Sequence, residues 1–231
     1  MTIPVENRGQ REWQHNVGKS GMNGEPESRD PVVRATSLVQ LFCSPTDFGV
    51  LSSVTPDQVP EPARTLLDHR SHMTVAMERF YGGDVRLRVV ARANDLAVPA
   101  ARDDWYAREI LLETADGTIV QHGIVRIDLT HLDMATAAAI RAARRPLGRI
   151  LIEAGMLREV HGVRLLHVVP GPHLREVLGG GDVGAAAVDS LYGRVATIEL
   201  DGRPAVDLLE IAVPNRGRQS VSPAVASGEN R

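Results

Sequence analysis

WYAREILLETADGTIVQHGIVRID, residues 105–128, is the stretch that decides the fold. Two apolar-rich runs, 105–113 and 118–128, flank Thr114-Ala115-Asp116-Gly117. Asp-Gly supplies the backbone angles a tight turn needs, so the stretch reads as a β-hairpin. Side chains alternate along a strand, which places Arg108, Ile110 and Leu112 on one face. A guanidinium on an otherwise apolar face needs a counterpart. At this point Arg108 reads as a rim arginine, as half of a structural ion pair, or as the partner of a bound anion.

A second hairpin is expected toward the C-terminus. Residues 195–200 (VATIEL) and 205–213 (AVDLLEIAV) flank Asp201-Gly202-Arg203-Pro204. Leu208, Glu210 and Ala212 share one face of the later strand, and Leu209, Ile211 and Val213 share the other. Both faces are otherwise apolar. Glu210 therefore reads as a raised-pKa acid, a hydrogen-bond acceptor or the ion-pair partner of Arg108.

Working outward, residues 84–92 (DVRLRVVAR) alternate apolar and charged residues, as a strand with one wet face does. Residues 161–170 read as a strand ended by Pro170-Gly171-Pro172, and 173–178 as one or two helical turns. Helices are expected at 36–43, at 61–68 with Pro62 in the first turn, and over the alanine-rich 133–144. The run 71–81 is ambiguous between strand and helix. Residues 44–62, punctuated by four prolines, read as a loop. Strands joined by tight turns imply a single α+β domain, a mainly antiparallel sheet with helices covering a face.

The 231 residues allow one domain or a small second one. The net charge of −3 and 3% aromatic content exclude the basic, aromatic-studded face of a nucleic-acid binder. Lys19 is the only lysine, so nearly every cation is an arginine, the side chain suited to carboxylates. The single cysteine, Cys43, permits no internal disulfide and reads as a buried small side chain. No signal peptide and no apolar span of membrane length are visible. A soluble, cytoplasmic protein without nucleic-acid or membrane partners is expected. Polar, aperiodic tails are expected at 1–34 and 215–231 around a body at 35–214. GGGDVG at 179–184 matches G-x-G-x-x-G formally, but no strand feeds it, so it reads as a flexible loop. The histidines show no metal-ligand spacing, and there is no P-loop and no serine elbow. Neither a metal nor a cofactor is expected.

Several short segments, in order over about residues 66–214, resemble the chorismate pyruvate-lyase family. They are His72-Met73-Thr74 ahead of Arg79-Phe80, WYAREILL at 105–112 followed by Ala115-Asp116-Gly117, and Pro146-Leu147-Gly148-Arg149. Leu191-Tyr192-Gly193-Arg194 follows, then Gly202-Arg203-Pro204 and Glu210. The resemblance implies an antiparallel sheet with helices around an internal cavity, no metal or cofactor, and conversion of chorismate to 4-hydroxybenzoate and pyruvate. It implies that Arg108 binds the ring carboxylate and that Glu210 meets the hydroxyl at the opposite end. Backbone groups of Met73 and Leu147 would complete the pocket. The chain departs from the family in three places. Ile124 follows Gly123 where a substrate-serving arginine is expected, so the second carboxylate falls to Arg126 or Arg149. Glu210 lies one residue further from Gly202 than the family spacing, which requires a bulge or a shifted register. Residues 155–188 are longer than in the family. Two other functions remain open. One is a non-catalytic small-molecule binder of the same fold, as in the effector-sensing half of some bacterial transcription regulators, whose winged-helix domain the 34 leading residues are too few to form. The other is a lyase for a related cyclohexadiene acid. The oligomeric state is not legible.

Overall fold

The computed structural model describes residues 30–93, 105–156, 158–179 and 189–213. Of the expected tails at 1–34 and 215–231, residues 1–29 and 215–231 lie outside the described residues, as does the glycine-rich loop beyond Gly179, while 31–34 belong to a helix and not to a tail. Seven strands form one sheet: β1 (Gly49–Val54), β2 (Arg86–Arg92), β3 (Trp105–Glu113), β4 (Ile119–Asp128), β5 (Arg158–Pro170), β6 (Leu191–Leu200) and β7 (Arg203–Ala212). Their order is β1-β5-β6-β7-β4-β3-β2, and every neighbouring pair is antiparallel. The helices are α1 (Pro31–Val39), α2 (Pro45–Phe48), α3 (Ala63–Leu67), α4 (Met73–Tyr81), α5 (Met134–Ala142), α6 (Leu147–Glu153) and α7 (Pro172–Val177). The α+β antiparallel architecture is the one the two hairpins imply.

Turn chemistry sets both hairpins. Between β3 and β4 the Thr118 backbone N–H donates to Asp116 Oδ1, and Gly117 takes a φ of 84°. Between β6 and β7 the loop is Asp201-Gly202, with φ of 49° and 76°. Two successive positive angles make the turn whose twist matches that of the flanking strands. Beyond the turn, Leu200 pairs with Arg203 and Glu199 with Pro204, but Ile198 pairs with Val206. Ala205 is the extra residue. This bulge is how the chain meets the spacing of Gly202 and Glu210.

Helices cover both faces of the sheet, not one. The reason lies in β7, where residues of both parities are apolar. One face packs Ala107, Leu111, Ile124, Leu209 and Ile211 against Ala35, Leu38 and Val39 of α1, with Phe48 and Leu174. On the other face Val125, Ala196, Ile198 and Leu208 lie with Ile140 of α5 and Ile150 and Leu151 of α6. Further along that face Leu112, Leu165 and Ala212 meet Leu66, Leu67, Met73 and Met77 of α3 and α4.

Other elements differ from the sequence expectations for local reasons. Helix α1 starts at Pro31 rather than near 36, because the Asp30 side chain accepts from the Val32 N–H at 2.8 Å and proline is at home in a first turn. The expected loop 44–62 contains α2, capped by Ser44, and the edge strand β1, which is too short and too exposed to show a clear alternation. The ambiguous run 71–81 is helix from Met73, closed by Gly82 at a φ of 72°. Among the described residues no helix is long and apolar enough to cross a membrane.

Candidate ligand cavity

The cavity lies where the two helix-covered clusters on the second face meet. Its floor is the sheet: Arg108, Ile110 and Leu112 of β3, Gln121, Gly123 and Val125 of β4, Leu208 and Glu210 of β7, and Arg194 of β6. Its roof is made by two helix starts, His72-Met73-Thr74 and Pro146-Leu147-Gly148. The strand register orders the floor into rows. Arg108, Val125 and Leu208 form one row; Ile110, Gly123, Glu210 and Arg194 form the next; Leu112, Gln121 and Ala212 form the third. Gly123 lies in the middle of the middle row, where the missing side chain leaves space. The space open to the centre of a water molecule is about 60 Å³. A single water needs about 10–15 Å³ on that measure, so several waters or one small ring can be held.

Arg108 is 1% exposed, and its Nη2 donates to the Arg145 carbonyl over a long 3.3 Å. Nε and Nη1 are buried without a partner among the described residues. The buried hydroxyl of Tyr106 lies beside Arg108, where its charge and hydrogen bonding partly oppose the effect of burial. Burial lowers the Arg108 pKa from its ordinary value, and Arg92 adds to the effect. An arginine nonetheless stays charged, so this is a buried cation facing a cavity. At the roof, the N-cap side chain of α4 makes no capping hydrogen bond, and the N-terminal end of the helix adds positive potential.

Glu210 lines the same cavity but is not paired with Arg108. It faces Arg194 directly across the β6–β7 ladder, with Arg194 Nε donating to Glu210 Oε2 at 2.7 Å. Arg194 also donates through Nη1 to the carbonyls of His69 (2.7 Å) and Leu67 (3.4 Å), and through Nη2 to that of Ser71 (3.2 Å). It therefore ties the loop before α4 to the sheet floor. His69 Nδ1 accepts from the Ser71 N–H and from Arg194.

Six residues were site candidates from sequence. Met73, Arg108, Leu147 and Glu210 line the cavity. Arg126 and Arg149 do not, which corrects the expectation that one of them supplies a second cation. Arg126 holds Asp207 with Nη2–Oδ2 at 2.5 Å, and Arg149 holds Glu78 at 2.9 Å near the surface. Ile124 is 1% exposed and packs its side chain into the opposite core. Sequence reading missed Arg194 and Gln121. Gln121 carried no signal of its own, because the register shift at Val120 decides which face of β4 it takes.

Behind the cavity, on the other face, lies a second buried polar group. Glu109 is fully buried, and its Oε1 is shared by His122 Nε2 at 2.7 Å and His173 Nε2 at 2.9 Å. Burial pushes the Glu109 carboxyl up, but the two imidazoles outweigh this and hold it below the usual carboxylate range. Cys43 is pushed up to about 12 by burial and by Glu109 and Asp47, so it is an inert thiol at neutral pH. Among the described residues no group of three or more His, Cys, Asp or Glu side chains is placed to hold a metal ion.

These groups predict a loss of stability on acidification. His69 has its pKa lowered by burial and by Arg194. The unfolded chain takes up a proton near the ordinary 6.5 while the folded chain resists it. That contribution is complete above about pH 7 and is lost as pH falls through the folded value. Glu109 adds a second loss at lower pH, below the ordinary carboxylate range. Thermal unfolding from pH 8 down to about pH 2 checks both losses. His69→Asn, which keeps an acceptor near the Nδ1 position, is expected to flatten the segment between pH 7 and pH 5. An unaltered slope in that variant would remove His69 from the account.

The fold and site together define an antiparallel α+β domain with an internal, cation-bearing cavity. In layout the chain is similar to PhnF from Mycobacterium smegmatis (TM-score 0.44, 13% identity), with 65% of this chain and 66% of that chain covered. The chain thus spans just under two thirds of that protein. It is also similar to the ligand-binding domain of a GntR-family transcriptional regulator from Bordetella bronchiseptica (TM-score 0.41, 16% identity, 60% of this chain and 92% of that one). A GntR-family transcriptional regulator from Bacillus cereus gives a TM-score of 0.38 at 13% identity, over 56% and 92% of the two chains. No family model and no curated protein matches the chain.

Proposed function

We propose that this chain binds a small ring-bearing monocarboxylic acid, with Arg108 as the partner of the carboxylate. The observation that supports this reading is the buried Arg108 guanidinium, with Nε and Nη1 unpartnered at an otherwise largely apolar cavity. A buried charge is costly without a counter-ion, and a carboxylate brings one. Arg194, the other arginine of the lining, is engaged by Glu210, so among the described residues the lining offers one positive charge without a counter-ion. A monoanion matches that balance better than chorismate, which carries two carboxylates. A ring lies naturally over Gly123, between Ile110 and the roof residue Leu147.

The second reading is the lyase itself, acting on chorismate or a related cyclohexadiene acid. The observation in its favour is Glu210, a carboxylate in the same cavity as Arg108. Aromatisation drives that reaction, so the protein need only hold the reactive pose and exclude water.

One experiment addresses both. Purified protein is titrated with 4-hydroxybenzoate and with benzoate by calorimetry, then incubated with chorismate while pyruvate and 4-hydroxybenzoate are followed. Binding without pyruvate above the spontaneous rate is the expected result. Equal formation of both products would replace it with the lyase reading. Absence of binding by either acid would overturn the monocarboxylate site.

A further inference from the structure

Resting on the acid-site reading above, we infer that Gln121 recognises the end of the ligand opposite its carboxylate, and that this end carries an uncharged hydrogen-bonding group of the hydroxyl class. Gln121 is 3% exposed and lines the cavity, yet its Oε1 is buried without a hydrogen-bond partner among the described residues. Buried amides are normally satisfied, because an unmade hydrogen bond there is unfavourable. Packing alone would be served better by leucine.

The position matches the role. On β4, Val125 lies beside Arg108, Gly123 beside Ile110, and Gln121 beside Leu112. The Arg108 row and the Gln121 row are four residues apart along the strand, about 14 Å. Two inward-leaning side chains and one ring between them fill that span. A Cβ built on Gly123 would stand 3.4 Å from Gln121 Nε2 and from the Ile110 side chain. The amide therefore leans over the same glycine on which the ring would rest. Its two ends can be exchanged by half a turn about the last side-chain bond, and a hydroxyl can answer either one.

Glu210 is less suited to this task. Its Oε2 is held by Arg194, and it lies in the middle row rather than at the far end. A para-substituted ring acid lying along β4 reaches Gln121 from Arg108, with Glu210 at its flank.

The test compares benzoate with 4-hydroxybenzoate by calorimetry on the full chain and on Gln121→Leu, with circular dichroism to check folding. Gln121→Met serves if the leucine variant does not fold. The wild type is expected to favour 4-hydroxybenzoate about 10-fold, the worth of one well-made buried hydrogen bond. Gln121→Leu is expected to erase that preference. A folded variant that keeps the preference, or that loses both acids equally, would overturn the role of Gln121. So would equal binding of the two acids by the wild type, an outcome that leaves the carboxylate site standing. Binding of neither acid would overturn both.

Discussion

Arg108→Met is expected to make the ligand-free protein more stable while weakening benzoate or 4-hydroxybenzoate binding at least ~100-fold. The two effects share one cause. The guanidinium is buried, and its hydrogen bond to the Arg145 carbonyl, at 3.3 Å, is long. The folded state carries most of its desolvation cost without a counter-ion inside the protein. Methionine has a similar reach and no charge, and it can occupy the same slot against Ile110 and Val125. Relief of about 1–2 kcal/mol raises the melting temperature by roughly 2–8 °C for a domain of this size. The loss of the Arg145 contact acts in the other direction but is small. An arginine kept for stability behaves oppositely, since its replacement lowers the melting temperature. Melting curves without ligand, beside calorimetry with either acid, decide between the two. A fall of several degrees together with unchanged binding would make Arg108 a structural residue.

Much of the fold was legible because its signals are local. Asp116-Gly117 and Asp201-Gly202 mark turns by backbone chemistry alone, and the alternation of 84–92 survives in β2. Strand parity also grouped Arg108 with Ile110 and Leu112, which line the cavity together, but it left Glu210 without a face because both sides of its strand are apolar. What parity could not give was their partners, because partners depend on register between strands. Glu210 shows this most clearly. Counting back from the Asp201-Gly202 turn, an unbroken ladder would set Glu210 opposite Gly193. The bulge at Ala205 shifts the pairing by one, and the residue opposite becomes Arg194. The spacing between Gly202 and Glu210 announced a bulge or a shifted register, but which strand neighbour it would deliver was a long-range fact. Arg126 and Arg149 failed as cavity cations for a related reason. Each found a nearer carboxylate, Asp207 on the adjacent strand and Glu78 on α4, neither close in sequence. Strand β1 was missed because half of it faces solvent and it borders a single neighbour, so little apolar periodicity was required of it.

Arg194→Met is expected to cause the largest loss of stability of any single change at this site, about 3–5 kcal/mol. Three kinds of interaction go at once. Glu210, 8% exposed, keeps a carboxylate in the sheet floor with its cation gone. The carbonyls of Leu67, His69 and Ser71 lose their shared donor. The loop they belong to leads directly into His72-Met73-Thr74, so the roof loses its tie to the floor. The expected fall in melting temperature is roughly 6–20 °C. Lysine is not expected to rescue it, because one ammonium cannot serve four oxygen acceptors spread across two elements as a planar fork can. The double variant Arg194→Met with Glu210→Leu separates the causes. If the unpaired carboxylate dominates, removing it restores more than half of the loss, since an apolar pair can replace a buried ion pair at little cost. If tying the loop dominates, the double variant stays as unstable as Arg194→Met. An Arg194→Met protein that melts within about 2 °C of wild type would show that this pair is not what holds roof to floor. Ligand binding adds a further distinction. A double variant that regains stability and still binds benzoate leaves Arg108 as the sole charged requirement for the acid. One that regains stability without binding means that Glu210 and Arg194 together shape the cavity the acid enters.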